Sequence, residues 1–317
     1  MKSIYKFSIG IIMCAMIILV ACRNEAPTQE GDKIFTYTST PSDEDNFSYG
    51  QFSIWCPENI KTYKGILYLG AGYEYSSIPM MDEAKWQDIA RENEFILLTS
   101  HMKSRTEADS DIAYWQAEYG SGQEMLNALG YFAKESNHPE IEHAPLAMWG
   151  FSAGAQFNYH FACWNPERVI TFIAVKGGYY FSEPSNETLK IPALWFTGEY
   201  DLQRRIDAVN ELFDKNIKNE PLWCLANEPD SEHEIGKTDE LAIPWLNEVI
   251  KQRLPEKVNA TKGPIILKDI NQSSVWLGDR TDGYIAPILE HKGDKKSSSW
   301  IPNGDLAKIW TEFHLHK

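Results

Sequence analysis

The sequence predicts an α/β fold in which a mostly parallel sheet carries helices on both faces. Between residues 35 and 254, short apolar runs alternate with longer amphipathic segments. The runs are apolar throughout instead of at every second position, which indicates strands that are buried on both faces. Segments of about ten residues or more join the runs, and this length suits the helical crossovers that parallel strands require. Chemistry in such sheets is expected beyond the carboxyl ends of the strands.

Each strand is predicted where an apolar run meets a turn signal. The first run stops at Pro57, because proline cannot continue a central strand, and the second stops at Gly70. Strands are expected at residues 52–56, 66–69, 95–99, 146–149, 169–175, 193–196 and 222–226.

Apolar residues at helical spacing predict the crossovers between these strands. Helices are expected at residues 81–92, 111–136, 153–163, 203–216 and 239–253. The second of these is interrupted near Gly120 and Gly122. Residues 255–317 lack this alternation, and they are predicted to form an extension packed on the α/β domain of residues 35–254 rather than an independent domain.

Composition is ordinary for a globular protein, but the charge balance restricts the partners. The chain has 317 residues, of which 43% are apolar and 24% charged, with a formal net charge of −15. A surface this acidic repels phosphodiester backbones, so nucleic acid is not expected as a partner. We interpret the acidity chiefly as what keeps an exported protein soluble.

The amino terminus has the pattern of a secretory signal. Lys2 and Lys6 precede an apolar run at residues 9–20, which carries no charge and is too short to span a bilayer comfortably. The run leads into the tetrapeptide LVAC, which ends at Cys22 and resembles the lipobox of bacterial lipoproteins. An uncleaved anchor helix, or an ordinary signal peptide with an accidental cysteine, remains the alternative.

The lipobox resemblance implies cleavage before Cys22 and acylation of its thiol, with palmitate as one acyl group. Residues 1–21 are then a signal peptide and residues 22–34 a polar tether. The resemblance places the protein in a bacterial cell envelope, lipid-anchored and facing the periplasm or the cell surface. The outer membrane is expected ahead of the inner one, and the membrane is a partner only through the lipid.

The other cysteines do not suggest a disulfide scaffold. Cys56, Cys163 and Cys224 permit at most one disulfide, and their spacing does not resemble a zinc site. We expect three buried thiols and no metal.

The pentapeptide GFSAG at residues 150–154 is the strongest functional signal. It follows a predicted strand and opens a predicted helix, the context in which a nucleophilic serine occupies a sharp turn. Gly150 and Gly154 are expected because the close approach of strand and helix leaves no room for a Cβ atom. Ser152 is therefore predicted to be a nucleophile at the amino end of a helix, where the dipole favours developing negative charge.

Residues 50–254, with the elbow WGFSAGAQ, resemble the α/β-hydrolase superfamily, in particular its esterases and polyester depolymerases. The resemblance implies an α/β-hydrolase fold and a catalytic triad in the chain order serine, acid, histidine. It implies a serine esterase that needs no metal or organic cofactor. A dehalogenase-like enzyme is disfavoured because the elbow carries serine in place of a carboxylate.

The acid that the resemblance implies is Asp201. The strand expected at residues 193–196 is followed by a turn similar to the G-x-x-D of the family, from Gly198 to Asp201. Asp201 would hold the tautomer of the imidazole and stabilise the imidazolium. Glu199 is the alternative acid, and Asp201 is alternatively an N-cap for the helix expected from Gln203.

The base is predicted to be His233. It lies between the last predicted strand and the helix expected at residues 239–253, where the family places its loop histidine. None of the other histidines has both the order and the topology. His101, which follows an early strand, is a candidate for lining the pocket.

The oxyanion hole is expected to use the backbone N–H of Ala153 and one from the loop after the second strand. This loop departs from the His-Gly pattern of many family members, and its donor is predicted to be Ala71 or Gly72. Tyr73 or Tyr75 is a further hypothesis for a side-chain donor.

The predicted reaction is hydrolysis of a carboxylic ester through an acyl-enzyme, on a small-molecule or glycan ester. Aromatic residues form 13% of the chain, and Trp115, Trp164, Trp276 and Trp300 fall in segments that are candidates for the rim of the site, where aromatic faces would stack on sugars or phenolics. The alternative is that most of these rings belong to the core, as large aromatic residues usually do. Carbohydrate esters are therefore one predicted substrate class, beside generic carboxylic esters, polyesters and acyl peptides. A catalytically inactive binding lipoprotein and a serine peptidase of the same fold are the alternatives.

Overall fold

The computed structural model describes residues 31–107 and 110–315 of the chain. The predicted signal peptide, the lipid attachment at Cys22 and most of the tether lie outside these residues. Within the described part, no helix is both long and apolar enough to cross a membrane.

The centre of the fold is an eight-stranded sheet with the order β1-β2-β4-β3-β5-β6-β7-β8. Its strands are β1 (Lys33–Thr38), β2 (Phe47–Cys56), β3 (Gly65–Gly70), β4 (Phe95–Ser104), β5 (Leu146–Phe151), β6 (Val169–Val175), β7 (Ala193–Gly198) and β8 (Trp223–Glu228). The pairs β1–β2 and β2–β4 are antiparallel, and every pair from β4 to β8 is parallel. The strands β3 and β5 to β7 are almost entirely buried, as their continuous apolar runs predict.

Helices cover both faces of this sheet. They are α1 (Ala84–Asn93), α2 (Ser121–Ser136), α3 (Ala153–Trp164), α4 (Asn186–Leu189), α5 (Gln203–Asn216) and α6 (Asp239–Arg253). Helices α2, α3 and α5 pack on one face, while α1 and α6 pack on the other. This arrangement confirms the predicted α/β class.

The prediction of one long helix over residues 111–136 is wrong in its first part. Residues 111–116 are not helical, and α2 begins only at Ser121 after a short 3₁₀ turn. The side-chain amide of Asn46 donates to the carbonyls of Ala113 and Gln116, at 2.9 and 2.7 Å. Its oxygen accepts the N–H of Ser121 at 3.1 Å. A distant side chain therefore uses backbone groups that a continuous helix would need.

The C-terminal extension contains a second, smaller sheet and a helix. The sheet is antiparallel with the order β10-β9-β11, made of β9 (Trp276–Asp279), β10 (Ile285–Pro287) and β11 (Ser298–Ile301). It is followed by α7 (Gly304–Leu315), which packs on the same side of the main sheet as α1 and α6. The sequence analysis did not predict β1, α4, α7 or the three strands of the extension.

Side chains of the extension close the outer edge of β8. The N–H of Leu225 donates to Ser299 Oγ at 2.9 Å, and the indole of Trp310 donates to the Leu225 carbonyl at 2.9 Å. The N–H of Asn227 donates to His314 Nδ1 at 2.9 Å. Unpaired backbone groups on an edge strand invite association with other chains, and here they are satisfied by side chains instead of by a ninth strand.

Candidate active site

Ser152 stands on a strained turn between β5 and α3. Its backbone has φ 55° and ψ −114°, a region that residues with a Cβ atom rarely adopt. The turn is fixed because the N–H of Ser152 donates to the Val175 carbonyl at 2.8 Å, and that of Gly154 to the Ala71 carbonyl at 2.9 Å. A side chain of this size in this conformation indicates a functional constraint on the backbone.

The glycines of the elbow are required by close backbone contacts. A Cβ atom on Gly154 would lie 2.5 Å from the carbonyl carbon of Gly70 in β3. A Cβ atom on Gly150 would overlap the carbonyl group of Gly154. The elbow therefore depends on glycine at both positions, for the steric reason that the sequence suggests.

His233 lies within hydrogen-bond distance of the elbow serine. Its Nε2 is 3.0 Å from Ser152 Oγ, and its ring packs against that of Phe151 at a centroid distance of 5.0 Å. The loop that carries it leaves the carboxyl end of β8, so histidine and serine meet above the same edge of the sheet.

Asp201 completes a chain of hydrogen bonds. Its Oδ2 is 2.8 Å from His233 Nδ1, while Oδ1 accepts the N–H of Leu202 at 2.6 Å and Arg205 Nη1 at 2.9 Å. Burial raises the pKa of this carboxyl, but the hydrogen bonds from His233, Arg205 and Leu202 outweigh it and hold the pKa below the usual range. Asp201 is therefore ionised at neutral pH.

Burial lowers the pKa of His233 below its usual value of 6.5, although Asp201 acts in the opposite direction. The charges of Arg205 and Lys176 lower this pKa further. The imidazole is therefore neutral at neutral pH. Because the ionised Asp201 carboxylate accepts a hydrogen bond from Nδ1–H, the free electron pair of the ring lies on Nε2 and faces Ser152.

The alternatives for the acid can be compared directly. Glu199 Oε2 accepts the N–H of Asp230 at 2.9 Å, and Glu199 has no hydrogen bond to His233. The N-cap of α5 is Leu202, so Asp201 does not cap this helix. Of the two acids, Asp201 is the one that the structure brings to His233.

The predicted oxyanion-hole residues lie around Ser152. The N–H of Ala153 is the first of α3, in the turn whose donors lack partners within the helix. A Cβ atom on Gly72 would lie 3.8 Å from Ser152 Cβ, which places this loop against the nucleophile. The carbonyl of Ala71 accepts the N–H of Gly154 in α3, so the loop after β3 is also fixed to this helix. The choice between Ala71 and Gly72 as second donor stays a prediction.

Of the two tyrosines suggested as side-chain donors, Tyr73 is not supported by the structure, whereas Tyr75 stays a prediction. The hydroxyl of Tyr73 donates to the Thr106 carbonyl at 2.9 Å, so its single proton is already used. Tyr75 is 77% exposed. His101 Nε2 lies 3.2 Å from the Glu74 carbonyl, and its ring packs on Tyr49, so this histidine supports the loop after β3.

The four tryptophans expected at the rim do not lie there together. Trp115 is fully buried and stacks on Tyr179, at 5.8 Å between ring centroids. Trp164 ends α3 and is therefore about 18 Å along the helix from Ser152. Trp276 and Trp300 belong to the sheet of the extension, and Trp300 packs on Trp245 of α6 at 6.0 Å. Burial of large aromatic rings in the core overrides the expected role.

Two basic residues near the site were missed by the sequence analysis. Arg205 forms an ion pair with Asp201, and the buried Lys176 forms one with Glu228 at 2.7 Å. Lys176 could have been found from its position in the sequence. A charged residue that comes directly after the apolar run of β6 and before Gly177 and Gly178 indicates a functional position.

The remaining titratable groups do not form a metal site in the described residues, where no suitable cluster of His, Cys, Asp or Glu occurs. Cys56, Cys163 and Cys224 are free thiols, and burial raises the pKa of Cys56 to about 12. Burial also raises the pKa of Cys163 to about 12 and raises that of Cys224, so all three thiols are protonated at neutral pH. Cys56 and Cys224 are buried as predicted, whereas Cys163 is only partly buried.

Comparisons with known proteins establish the fold. No family model and no curated protein matches the chain. Similar solved structures include a ferulic acid esterase, 12% identical with a TM-score of 0.50, covering 69% of this chain and 98% of its own. They also include an S-formylglutathione hydrolase from Agrobacterium tumefaciens, 14% identical with a TM-score of 0.50, covering 69% of this chain and 94% of its own. At this identity the likeness concerns the backbone architecture, and function has to be argued from the site.

Proposed function

Because the chain has the α/β-hydrolase fold, we propose that it is a serine hydrolase that cleaves carboxylic esters through an acyl-enzyme. Ser152 is the nucleophile, His233 the general base and acid, and Asp201 the residue that orients His233. One observation carries the proposal. Asp201 lies 2.8 Å from His233, and His233 lies 3.0 Å from the hydroxyl of Ser152, whose backbone has φ 55°.

The geometry supports the following proton transfers. Neutral His233 accepts the proton of Ser152 through Nε2 while Oγ attacks the ester carbonyl carbon. The resulting imidazolium is stabilised by ionised Asp201, and it returns the proton to the alcohol that leaves. Water then attacks the acyl-serine with the same base, which releases the carboxylic acid and restores the hydroxyl of Ser152.

The negative charge that develops on the carbonyl oxygen needs donors that are already in place. We assign one to the N–H of Ala153, where the dipole of α3 adds to the effect. The second comes from Ala71 or Gly72. No metal or organic cofactor is part of this proposal.

For the substrate we propose carbohydrate esters as the class to test first. Support comes from the ferulic acid esterase among the similar structures. The four tryptophans do not support this class, because Trp115 is fully buried, Trp164 ends α3, and Trp276 and Trp300 belong to the sheet of the extension. Small-molecule carboxylic esters are the broader class that we propose.

The experiment compares the purified protein, expressed without the predicted signal peptide, with its Ser152→Ala variant. Turnover of p-nitrophenyl esters and of acetylated or feruloylated glycans is measured, together with labelling by a fluorophosphonate. We expect labelling and turnover only when Ser152 is present. Failure of the wild type to label, under conditions that label other serine hydrolases, would favour a binding lipoprotein. Cleavage of peptide amides without ester turnover would favour a peptidase.

We further propose a lipid anchor at Cys22 and a location in the bacterial cell envelope, the outer membrane ahead of the inner one. The support is the lipobox-like sequence before Cys22. Metabolic labelling with an alkyne analogue of palmitate, followed by membrane fractionation, tests this. Label that persists in a Cys22→Ala variant would contradict the proposal.

A further inference from the structure

A fully buried lysine stands behind the loop that carries His233. Lys176 directly follows β6, has a left-handed backbone with φ 52°, and its side chain is 0% exposed. The ammonium donates to Glu228 Oε2 at 2.7 Å and to Ser231 Oγ at 2.6 Å. A buried charge of this kind is tolerated only when it is paired and hydrogen-bonded, as it is here.

Glu228 connects this lysine to the far side of the same loop. It is the last residue of β8 and only 4% exposed. While Oε2 binds Lys176, Oε1 accepts the N–H of Lys237 at 2.5 Å. The loop is therefore held on both sides of His233, at Ser231 before it and at Lys237 after it.

The same segment also supports the nucleophile. The carbonyl of Val175, which precedes Lys176, accepts the N–H of Ser152 at 2.8 Å. The N–H of Lys176 donates to the Phe196 carbonyl in β7 at 3.1 Å. Residues 175–176 therefore contact the backbone of Ser152 on one side and the loop of His233 on the other.

Stability alone does not account for this ion pair. Apolar side chains of similar volume usually stabilise a core as well as a buried ion pair does, or better. Unlike an apolar side chain, the ammonium of Lys176 donates directed hydrogen bonds, and these hold Glu228 and Ser231 in fixed positions. We propose that Lys176 and Glu228 are positioning residues that hold His233 Nε2 at hydrogen-bonding distance from Ser152 Oγ. This inference rests on the proposed function.

The charges that act on His233 come from three elements. Asp201 follows β7, Arg205 belongs to α5, and Lys176 follows β6. Asp201 raises the pKa of the imidazole, whereas the two cations lower it. Removal of the Lys176 ammonium therefore raises the pKa of His233, an effect that a purely space-filling residue would not have.

The test uses three variants and one control. Ser231→Ala removes one contact of the ammonium, Lys176→Met removes the charge, and Lys176→Met with Glu228→Gln removes both charges of the pair. The control is Lys85→Met, because Lys85 also pairs with a carboxylate, that of Asp239 at 2.5 Å, but between α1 and α6.

We expect kcat to fall by about 10- to 100-fold in the Ser231 variant and in the double variant, with KM within about threefold, because a misplaced general base affects the chemical step. The Lys85 variant keeps the wild-type kcat. The acid limb of kcat/KM moves to higher pH in Lys176→Met.

The proposal is overturned if the double variant folds and keeps the kcat and pH profile of the wild type. If the double variant does not fold, Ser231→Ala decides, and an unchanged kcat in it overturns the proposal. A readout that needs no turnover is the NMR titration of His233 in a Ser152→Ala background. An unchanged pKa after Lys176→Met contradicts the inference, whereas a wild type without esterase activity contradicts only the proposed function.

Discussion

Asp201→Asn hardly changes the shape of the side chain, yet the structure predicts a large loss of kcat for it. Oδ1 of Asp201 already accepts two donors, the N–H of Leu202 and the guanidinium of Arg205. Asparagine keeps its oxygen at these donors, so its amide nitrogen faces His233 Nδ1. A donor then meets a donor, and the imidazole adopts the tautomer with its proton on Nε2, which cannot accept a proton from Ser152.

The magnitude follows from the loss of the correct tautomer and of the charge that stabilises the imidazolium. Comparable changes in such triads lower kcat by about 10⁴-fold. At 1.36 kcal/mol for each factor of ten, this corresponds to about 5 kcal/mol of transition-state stabilisation. KM is expected to stay within about threefold, because Asp201 lies behind the histidine and does not contact substrate.

The assay is steady-state hydrolysis of a soluble p-nitrophenyl ester by the wild type, Asp201→Asn and the matched control Glu199→Gln. Glu199 lies two residues away, accepts one backbone N–H, and does not bond to His233. We expect kcat of the control to stay within about threefold of the wild type. The reasoning is refuted if Asp201→Asn keeps more than a tenth of the wild-type kcat, or if Glu199→Gln has the larger effect.

Other predictions concern pH, packing and the sheet edge. Because the pKa of His233 is lowered, kcat/KM should rise with pH to half its maximum below pH 6.5, which a pH–rate profile checks. Gly154→Ala places a methyl group 2.5 Å from backbone and should lower the free energy of unfolding by about 1–3 kcal/mol. In urea titrations its control, Gly130→Ala in open space on α2, should be more stable than the wild type by about 0.5–1 kcal/mol. Ser299→Ala leaves the Leu225 N–H without its partner, so it should cost about 1–3 kcal/mol in the same titrations with kcat unchanged.

The residues of the proposed triad were accessible to sequence reasoning because each follows a strand. The apolar runs that become β5, β7 and β8 end shortly before Ser152, Asp201 and His233. In a parallel sheet the carboxyl ends of strands share one edge, so order along the chain is enough to bring the residues together. The predicted helices α5 and α6 also have the bounds that the structure shows, because their periodicity is uninterrupted.

The errors have a different origin. The false start of α2 depends on Asn46, about 70 positions earlier, and no local pattern reveals that contact. The tryptophan hypothesis failed because composition says nothing about the face on which a ring lies. The extension was also difficult, since β9 to β11 are short strands and α7 binds to an edge that only the folded sheet creates.

The closed edge of β8 has a consequence for anyone who shortens this protein. The strand that Ser299, Trp310 and His314 cover leads directly into Glu228 and then His233. A fragment that stops at residue 254 would keep every residue of the proposed triad. It would, however, expose the N–H and the carbonyl of Leu225 and the N–H of Asn227 to neighbouring molecules. We therefore expect a chain without residues 255–317 to aggregate more readily and to lose the proposed activity, so expression should retain the extension.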